Sequence, residues 1–485
     1  MKKWVKYLFG LVLLLSVSVV AVACGNKKSS SGDGDTPTLL MYQIGDKPKN
    51  YDTLIANTNK VLEKKVHAKL KIQYIGWGDY AKKMPVIVSS GENYDIAKAD
   101  NYAVNAQKGA YTDLTEMLPK YAPKAYKNLD PAYIKGNKVD GKLYAFPVNG
   151  NVYAKQVITF NKKYLDKYNL SIDDIKSYDD LEAVFAKFHK ENPKVQTFSM
   201  GQTFRAASDF DYPLTDVYPF AVDVVDGRDK IVNQYDSEKM KGILRTLHKY
   251  YQEGYIAKDA ATSVTDYPIS GNTWFARQET QGPFDYGDNL LTITAGQPLV
   301  SKAVTPAIKS AAQAQMCSFV VSSSSKHKEL AVKVLEEINT SPEILNGLVY
   351  GPEGEAYKYV DDKKRVKLLK GYKEKYHVSA WNTGDNSVIT PTENVTDEMI
   401  ETRVSDTKDA IDSPILGFQF KTDKVKTELT NISNVMNKYI SGLNTGTSDP
   451  DKVIPKMDKE LKDAGFDKVQ KEMQKQYDAF LKDNK

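Results

Sequence analysis

Residues 68–75 read Ala-Lys-Leu-Lys-Ile-Gln-Tyr-Ile, so Leu70, Ile72 and Tyr74 alternate with Lys69, Lys71 and Gln73. A period of two predicts a strand buried on one face. Ahead of it Leu54, Val61, Leu62 and Val66 mark one side of a helix, and residues 39–44 are apolar. Strand, helix, strand in that order opens an α/β pattern. Further strand signals near 95–96, 142–146, 157–160, 291–294 and 318–321 alternate with helical stretches near 177–191, 236–253 and 326–339, which continues it. After about residue 350 the composition changes. Residues 421–443 and 452–485 read as charged helices poor in strand signals, and Val469, Met473, Tyr477 and Phe480 form one apolar face. A chain of 485 residues exceeds one compact core, so two or three domains are expected.

The first residues state an address. Residues 1–6 carry Lys2, Lys3 and Lys6, and residues 7–23 are nearly unbroken apolar sequence ending in Ala21-Val22-Ala23-Cys24. The pattern predicts an export signal over 1–23, cleaved before Cys24, which becomes the lipidated first residue of the mature chain. Two acyl chains on Cys24 hold a protein on a membrane where one does not. Residues 24–36 form a flexible tether. Without those three lysines the net charge of +5 falls to +2, a balance with no nucleic-acid field. Cys317 then has no intrachain partner, and its apolar neighbours predict a buried, inert thiol.

Several motifs dissolve on inspection. Gly136-Asn-Lys-Val-Asp-Gly141-Lys142 begins like a phosphate loop, yet Leu143 stands where a hydroxyl must hold magnesium and a strand follows instead of a helix. Gly76-Trp77-Gly78-Asp79-Tyr80-Ala81 matches a dinucleotide fingerprint formally. Trp77 would crowd the backbone approach there, and Asp79 would repel a pyrophosphate. The five histidines lie at least 50 residues apart, so no close metal-ligand pair exists. Neither a metal nor a cofactor is expected. Ser322 to Ser325 lack a nucleophile elbow. Acid groups such as Asp209 with Asp211, or Asp223 with Asp226 and Asp229, have the chemistry for calcium or for a glycosidase, but read more simply as solvated loops.

Taken in order, a set of stretches resembles one family: Gly76 to Ala81 with Ser90-Gly91-Glu92 and Tyr94-Asp95-Ile96, residues 108–118, Asp140 to Pro147, residues 321–339, and Tyr350 to Gly354. Ser413 to Phe418, Ala464 to Val469 and Glu472 to Gln476 extend it to the end of the chain. The family is the extracellular solute-binding lipoproteins of carbohydrate-type ABC importers, in the complex-carbohydrate branch of Gram-positive bacteria. Lys98-Ala99-Asp100 departs from the usual apolar or hydroxyl-bearing segment. The resemblance implies a two-lobed, periplasmic-binding-protein-like α/β fold with a helical C-terminal extension. Expected bounds are 37–155 with about 290–345 for the first lobe, 156–289 with about 346–412 for the second, and 413–485 for the helical region. It also implies permease subunits with an ATPase as partners, an extracellular lipid-anchored location, and an oligosaccharide or other polar solute as ligand.

Ligands of open α/β sheets sit outside the carboxyl ends of the strands. That places Tyr42, Trp77, Tyr80 and Asp100 on one wall of an inter-lobe cleft. Asn149, Tyr153, Arg205, Trp274, Tyr286, Trp381 and Asn382 are the candidates opposite. Flat rings for sugar C–H faces and polar groups for hydroxyls are what such a ligand requires. The expected cycle is closure of one lobe on the other, with no bond made or broken. The competing reading is a surface glycoside hydrolase or lyase using a carboxylate pair.

Overall fold

Five strands build the first sheet, in the order Lys69–Ile75, Thr38–Ile44, Ile96–Lys98, Ser318–Val321, Ala145–Pro147. This computed structural model describes residues 36–264, 267–373 and 375–483, so the expected signal segment, the tether through residue 35 and Cys24 lie outside the described residues. The first three strands run parallel, and Ser318–Val321 runs antiparallel to both of its neighbours. Parallel neighbours require a crossover, which the helix Tyr51–Val66 supplies before His67 turns the chain in the left-handed region at φ 52°. Both faces of this sheet are covered. Leu39, Met41, Leu70, Ile96, Phe319 and Val321 pack with Leu62, Val332 and Leu335 on one side. Tyr42, Ala97 and Val320 pack with Tyr80, Tyr102 and Tyr111 on the other.

The second lobe is organised on a four-stranded sheet, Leu299–Ala303, Lys155–Asn161, Trp274–Gln281 and Gln196–Ser199. Only the last pair is parallel. Its core is aromatic, with Phe188 stacked on Phe275 at 3.9 Å between ring centroids and Phe160, Phe185 and Phe198 around them. Three segments cross between the lobes side by side. Ala154 bridges to Ile308, and Ile308–Lys309 pairs with Ile411–Asp412.

The C-terminal helices Lys426–Asn444, Pro450–Asp463 and Phe466–Asp483 are not a separate body. Ile432, Met436, Met457, Val469, Met473 and Tyr477 share one core with Phe220, Leu244 and Leu247 of the second lobe. Phe466 stacks on Phe220 at 5.0 Å. Gly446, at φ 70°, lies so close to the helix Glu238–Gln252 that a Cβ would come within 2.2 Å of the Leu247 carbonyl.

Two stretches differ from the sequence reading. Residues 291–294, expected as a strand, lie in the helix Asn289–Ala295, and Leu299–Ala303 pairs with Lys155–Asn161 in the second lobe. Residues 348–389, expected there, instead cover the first core through Leu348, Tyr357, Val366 and Ile389. Apolar runs this short fit either lobe, and only long-range packing decides between them. Among the described residues no helix is long and apolar enough to cross a membrane.

Candidate functional site

The carboxyl ends of Thr38–Ile44 and Lys69–Ile75 open onto a pair of tryptophans. Trp77 follows Lys69–Ile75 and stacks on Trp381, 304 residues later, at 5.7 Å between ring centroids and 27° between planes. Both indoles keep a face in solvent, with Trp77 50% and Trp381 38% exposed. Trp381 is carried by a single turn, Ala380–Asn382, that is bolted to the first strand. The Gln43 amide donates to the Asn382 carbonyl at 2.6 Å, and the Asn382 amide donates to the Ile44 carbonyl at 3.4 Å. Asn382 is therefore buried framework that aims Trp381. Gly45 adopts φ 129°, a backbone conformation that residues with a side chain rarely take, which favours glycine beside the Trp77 ring.

Asp100 lies at the carboxyl end of Ile96–Lys98. Burial pushes its carboxyl above the usual range, opposed by Lys98 nearby. Its own carbonyl accepts from the Tyr111 hydroxyl at 2.8 Å and the Asn105 amide at 2.9 Å, which fixes the turn before the helix Tyr102–Gln107.

Four expected cleft aromatics are corrected by their burial. Trp274 is fully enclosed as the first residue of Trp274–Gln281, its indole N–H donating to the Pro268 carbonyl at 3.1 Å, over Ala295 and Leu299. Tyr42 donates to Glu92, and burial pushes its hydroxyl up to about 12. Tyr80 donates to the Lys98 carbonyl at 2.6 Å. Tyr153 packs with Tyr133, Ala314 and Leu416 where the chain crosses between lobes. Tyr42 and Tyr80 back the first sheet, whereas Trp274 pairs with Gln196 at the end of the second sheet away from Gln281. Residue type and a neighbouring Gly or Asn do not reveal burial, because the groups that cover a ring come from distant sequence.

Asn149 belongs to a crossing segment. Its amide donates to Asp385 at 3.0 Å, and its carbonyl accepts from the Asn386 N–H at 2.8 Å. Arg205 lies in the loop after Gln196–Ser199, donating to the Phe204 carbonyl at 2.8 Å while its Nε is buried without a hydrogen-bond partner. The Arg205 carbonyl accepts from the Gln278 amide at 3.0 Å. Strand register places this loop at the same end of the second sheet as Gln281, beside the crossing segments. Tyr286 adopts φ 52°, with the Arg403 guanidinium 5.9 Å from its ring and 4.7 Å from that of Phe284. Arg403 was invisible to sequence reasoning, because the helix Asp397–Asp409 reads as a solvated, charged surface. A cavity of about 400 Å³ beside the crossing segments is lined by Asn149, Phe284, Ser387 and Arg403.

Of the carboxylate pair weighed for hydrolysis, one member is ion-paired and the other is buried. Asp209 is ion-paired to Lys239 at 2.9 Å. Asp211 is buried and its carboxyl is pushed up by that burial.

Comparison with known proteins adds three findings. Residues 58–350 match the family model of the bacterial extracellular solute-binding proteins, and residues 414–482 match a domain of unknown function (DUF3502). The chain is 49% identical, over the whole length of both, to a carbohydrate ABC transporter substrate-binding protein of Streptococcus pneumoniae serotype 4. The crystal structure of the N-glycan transport solute-binding protein NgtS from Streptococcus pneumoniae, 50% identical, superimposes with a TM-score of 0.90 over 93% of this chain and 100% of that one. For NgtS in complex with Man1GlcNAc the score is 0.78 over 92% and 100%, and with Man5GlcNAc 0.75 over 93% and 99%, at the same identity.

Proposed function

Because the chain belongs to the bacterial extracellular solute-binding protein family, we propose that it captures an oligosaccharide of mannose and N-acetylglucosamine between its two lobes and delivers it to an ABC permease. The observation that carries this reading is the Trp77–Trp381 stack, which offers solvent-facing indole surface at the carboxyl end of the first sheet. Pyranose rings present C–H faces that pack on such surfaces, while hydroxyls need polar partners. Asp100 supplies these from the first lobe, with Arg205 and Tyr286 from the second. Asn149, Asn382 and the buried tyrosines hold the walls. Cys24 ties the chain by lipid to the outer face of the membrane.

A ligand shifts the lobes only through contacts that improve on closure, so it must touch both walls. The fall in superposition score from 0.90 to 0.75 at constant sequence identity supports a hinge in this architecture, since NgtS differs in shape among its own structures. No bond of the sugar changes in this cycle. Calorimetric titration with Man5GlcNAc, followed by chromatography of the recovered sugar, tests the reading. One-to-one binding with intact sugar is expected. Absence of binding to any mannose-containing oligosaccharide, or release of shorter products, would contradict it.

A further inference from the structure

Lys239, the second residue of the helix Glu238–Gln252, stands inside a ring of carboxylates. Its ammonium lies 2.9 Å from both oxygens of Asp209, 2.6 Å from Asp223 and 3.3 Å from Asp226. Oxygens of these three acids lie within 4.8 Å of one another, the spacing of ligands around a single cation. Asp209 and Asp223 keep only 17% and 15% of their side-chain surface exposed, so water screens their mutual repulsion poorly. An ammonium has three donors, and here each of the three acids takes its contact. Burial pushes the Lys239 ammonium down, but its bonds to Asp223 and Asp209 outweigh that and leave it well above the ordinary lysine value.

The cluster joins three separate pieces of chain. Asp209 precedes the strand Phe210–Asp211, Asp223 closes Phe220–Asp223, and Asp226 lies in the following turn, whose N–H groups at Val225 and Asp226 are held by the other Asp223 oxygen at 3.0 and 2.8 Å. Lys239 brings in the helix. Asp209 also ends the loop 200–208, which carries Arg205 and is further fastened by Ser263 and Ser441 at Gln202, by the Gln278 amide at the Arg205 carbonyl, by Asn444 at Ala206 and by the Tyr178 hydroxyl at Ala207.

We infer that Lys239 takes the place of a structural divalent cation, so that the chain's own ammonium anchors this wall of the second lobe and no metal is needed there. A hard divalent ion binds oxygen ligands at about 2.3–2.6 Å, slightly inside the distances seen here, so the same oxygens can contract onto an ion once the ammonium is gone. Lys239 is thus a positioning residue for the Arg205 loop. Its effect on ligand affinity rests on the function proposed above, whereas its effect on stability does not.

The test compares the full chain with Lys239→Met and Lys239→Arg by thermal melting in EDTA and in rising CaCl2. The parent protein is expected to melt at the same temperature in both. Lys239→Met should melt several degrees lower in EDTA and recover with calcium, and Lys239→Arg should stay insensitive to calcium. Titration with Man5GlcNAc should show about a tenfold weaker affinity for Lys239→Met in EDTA, restored by calcium. A parent protein that loses stability in EDTA overturns the inference. So does a Lys239→Met variant that melts normally in EDTA, ignores calcium, or fails to fold with and without it, because its three carboxylates remain to be bridged. Failure of the parent to bind the sugar while the melting pattern holds would sink the proposed function alone.

Discussion

Replacing Trp77 with alanine removes half of the stacked pair, and the structure sets the size of the effect. A tryptophan offers about 200 Å² of contact surface, and Trp77 leaves 50% of its surface open, or about 100 Å². Covering all of it with sugar is worth about 2.5 kcal/mol at about 25 cal/mol per Å². A single pyranose covers one face, so about half of that, roughly 1.3 kcal/mol, sets the lower bound. The dissociation constant for Man5GlcNAc should therefore rise between about tenfold and sixtyfold in Trp77→Ala. Trp381→Ala, with only 38% open, should lose less. Neither change should cost more than about 1 kcal/mol of folding stability, because both rings are partly solvated. Isothermal titration reads the affinity, and thermal melting confirms the fold. Affinities within twofold of the parent for both variants and their double, with folding intact, would refute a carbohydrate platform at this position.

Three stability predictions accompany it. Burial raises the Asp285 carboxyl from 3.8 to about 6, so between those values the folded chain holds a proton the unfolded chain has released; stability should fall as pH rises through that window, by at most about 3 kcal/mol, and Asp285→Asn should flatten the slope in urea titrations. Glu336 is buried and accepts from the N–H groups of Lys124 at 3.1 Å and Ala125 at 2.9 Å at the start of Pro123–Asn128, so Glu336→Ala should cost about 2–3 kcal/mol by chemical denaturation and Glu336→Gln less. Gly446→Ala forces a Cβ to 2.2 Å from a backbone oxygen at positive φ and should destabilise by about 3 kcal/mol or more, lowering the melting of the second lobe together with its C-terminal helices.

The first sheet was legible because Leu70, Ile72 and Tyr74 repeat at the strand period, and because the helix before them shows one apolar face. The residue range 291–294 misled because seven residues of Asn289–Ala295 are too few for periodicity to separate a short helix from a strand. Position at a strand end was also legible: Trp77 and Asp100 lie where the rule for open α/β sheets puts them. Exposure was not. Trp274, two residues after Asn272, and Trp381, next to Asn382, look alike in sequence, yet one is sealed under a helix and the other is 38% exposed. The contacts that decide this come from Pro268, Ala295 and Gln43, and no local pattern announces them. The Lys239 cluster was half visible, since its acids stood out while the cation that joins them reads as one more charged residue on a helix.

Small-angle scattering of the full chain with and without saturating Man5GlcNAc tests lobe closure over a carbohydrate most directly. The sugar should lower the radius of gyration and the maximum dimension, with both returning when it is dialysed away. Saturable binding that leaves the scattering curve unchanged would contradict it.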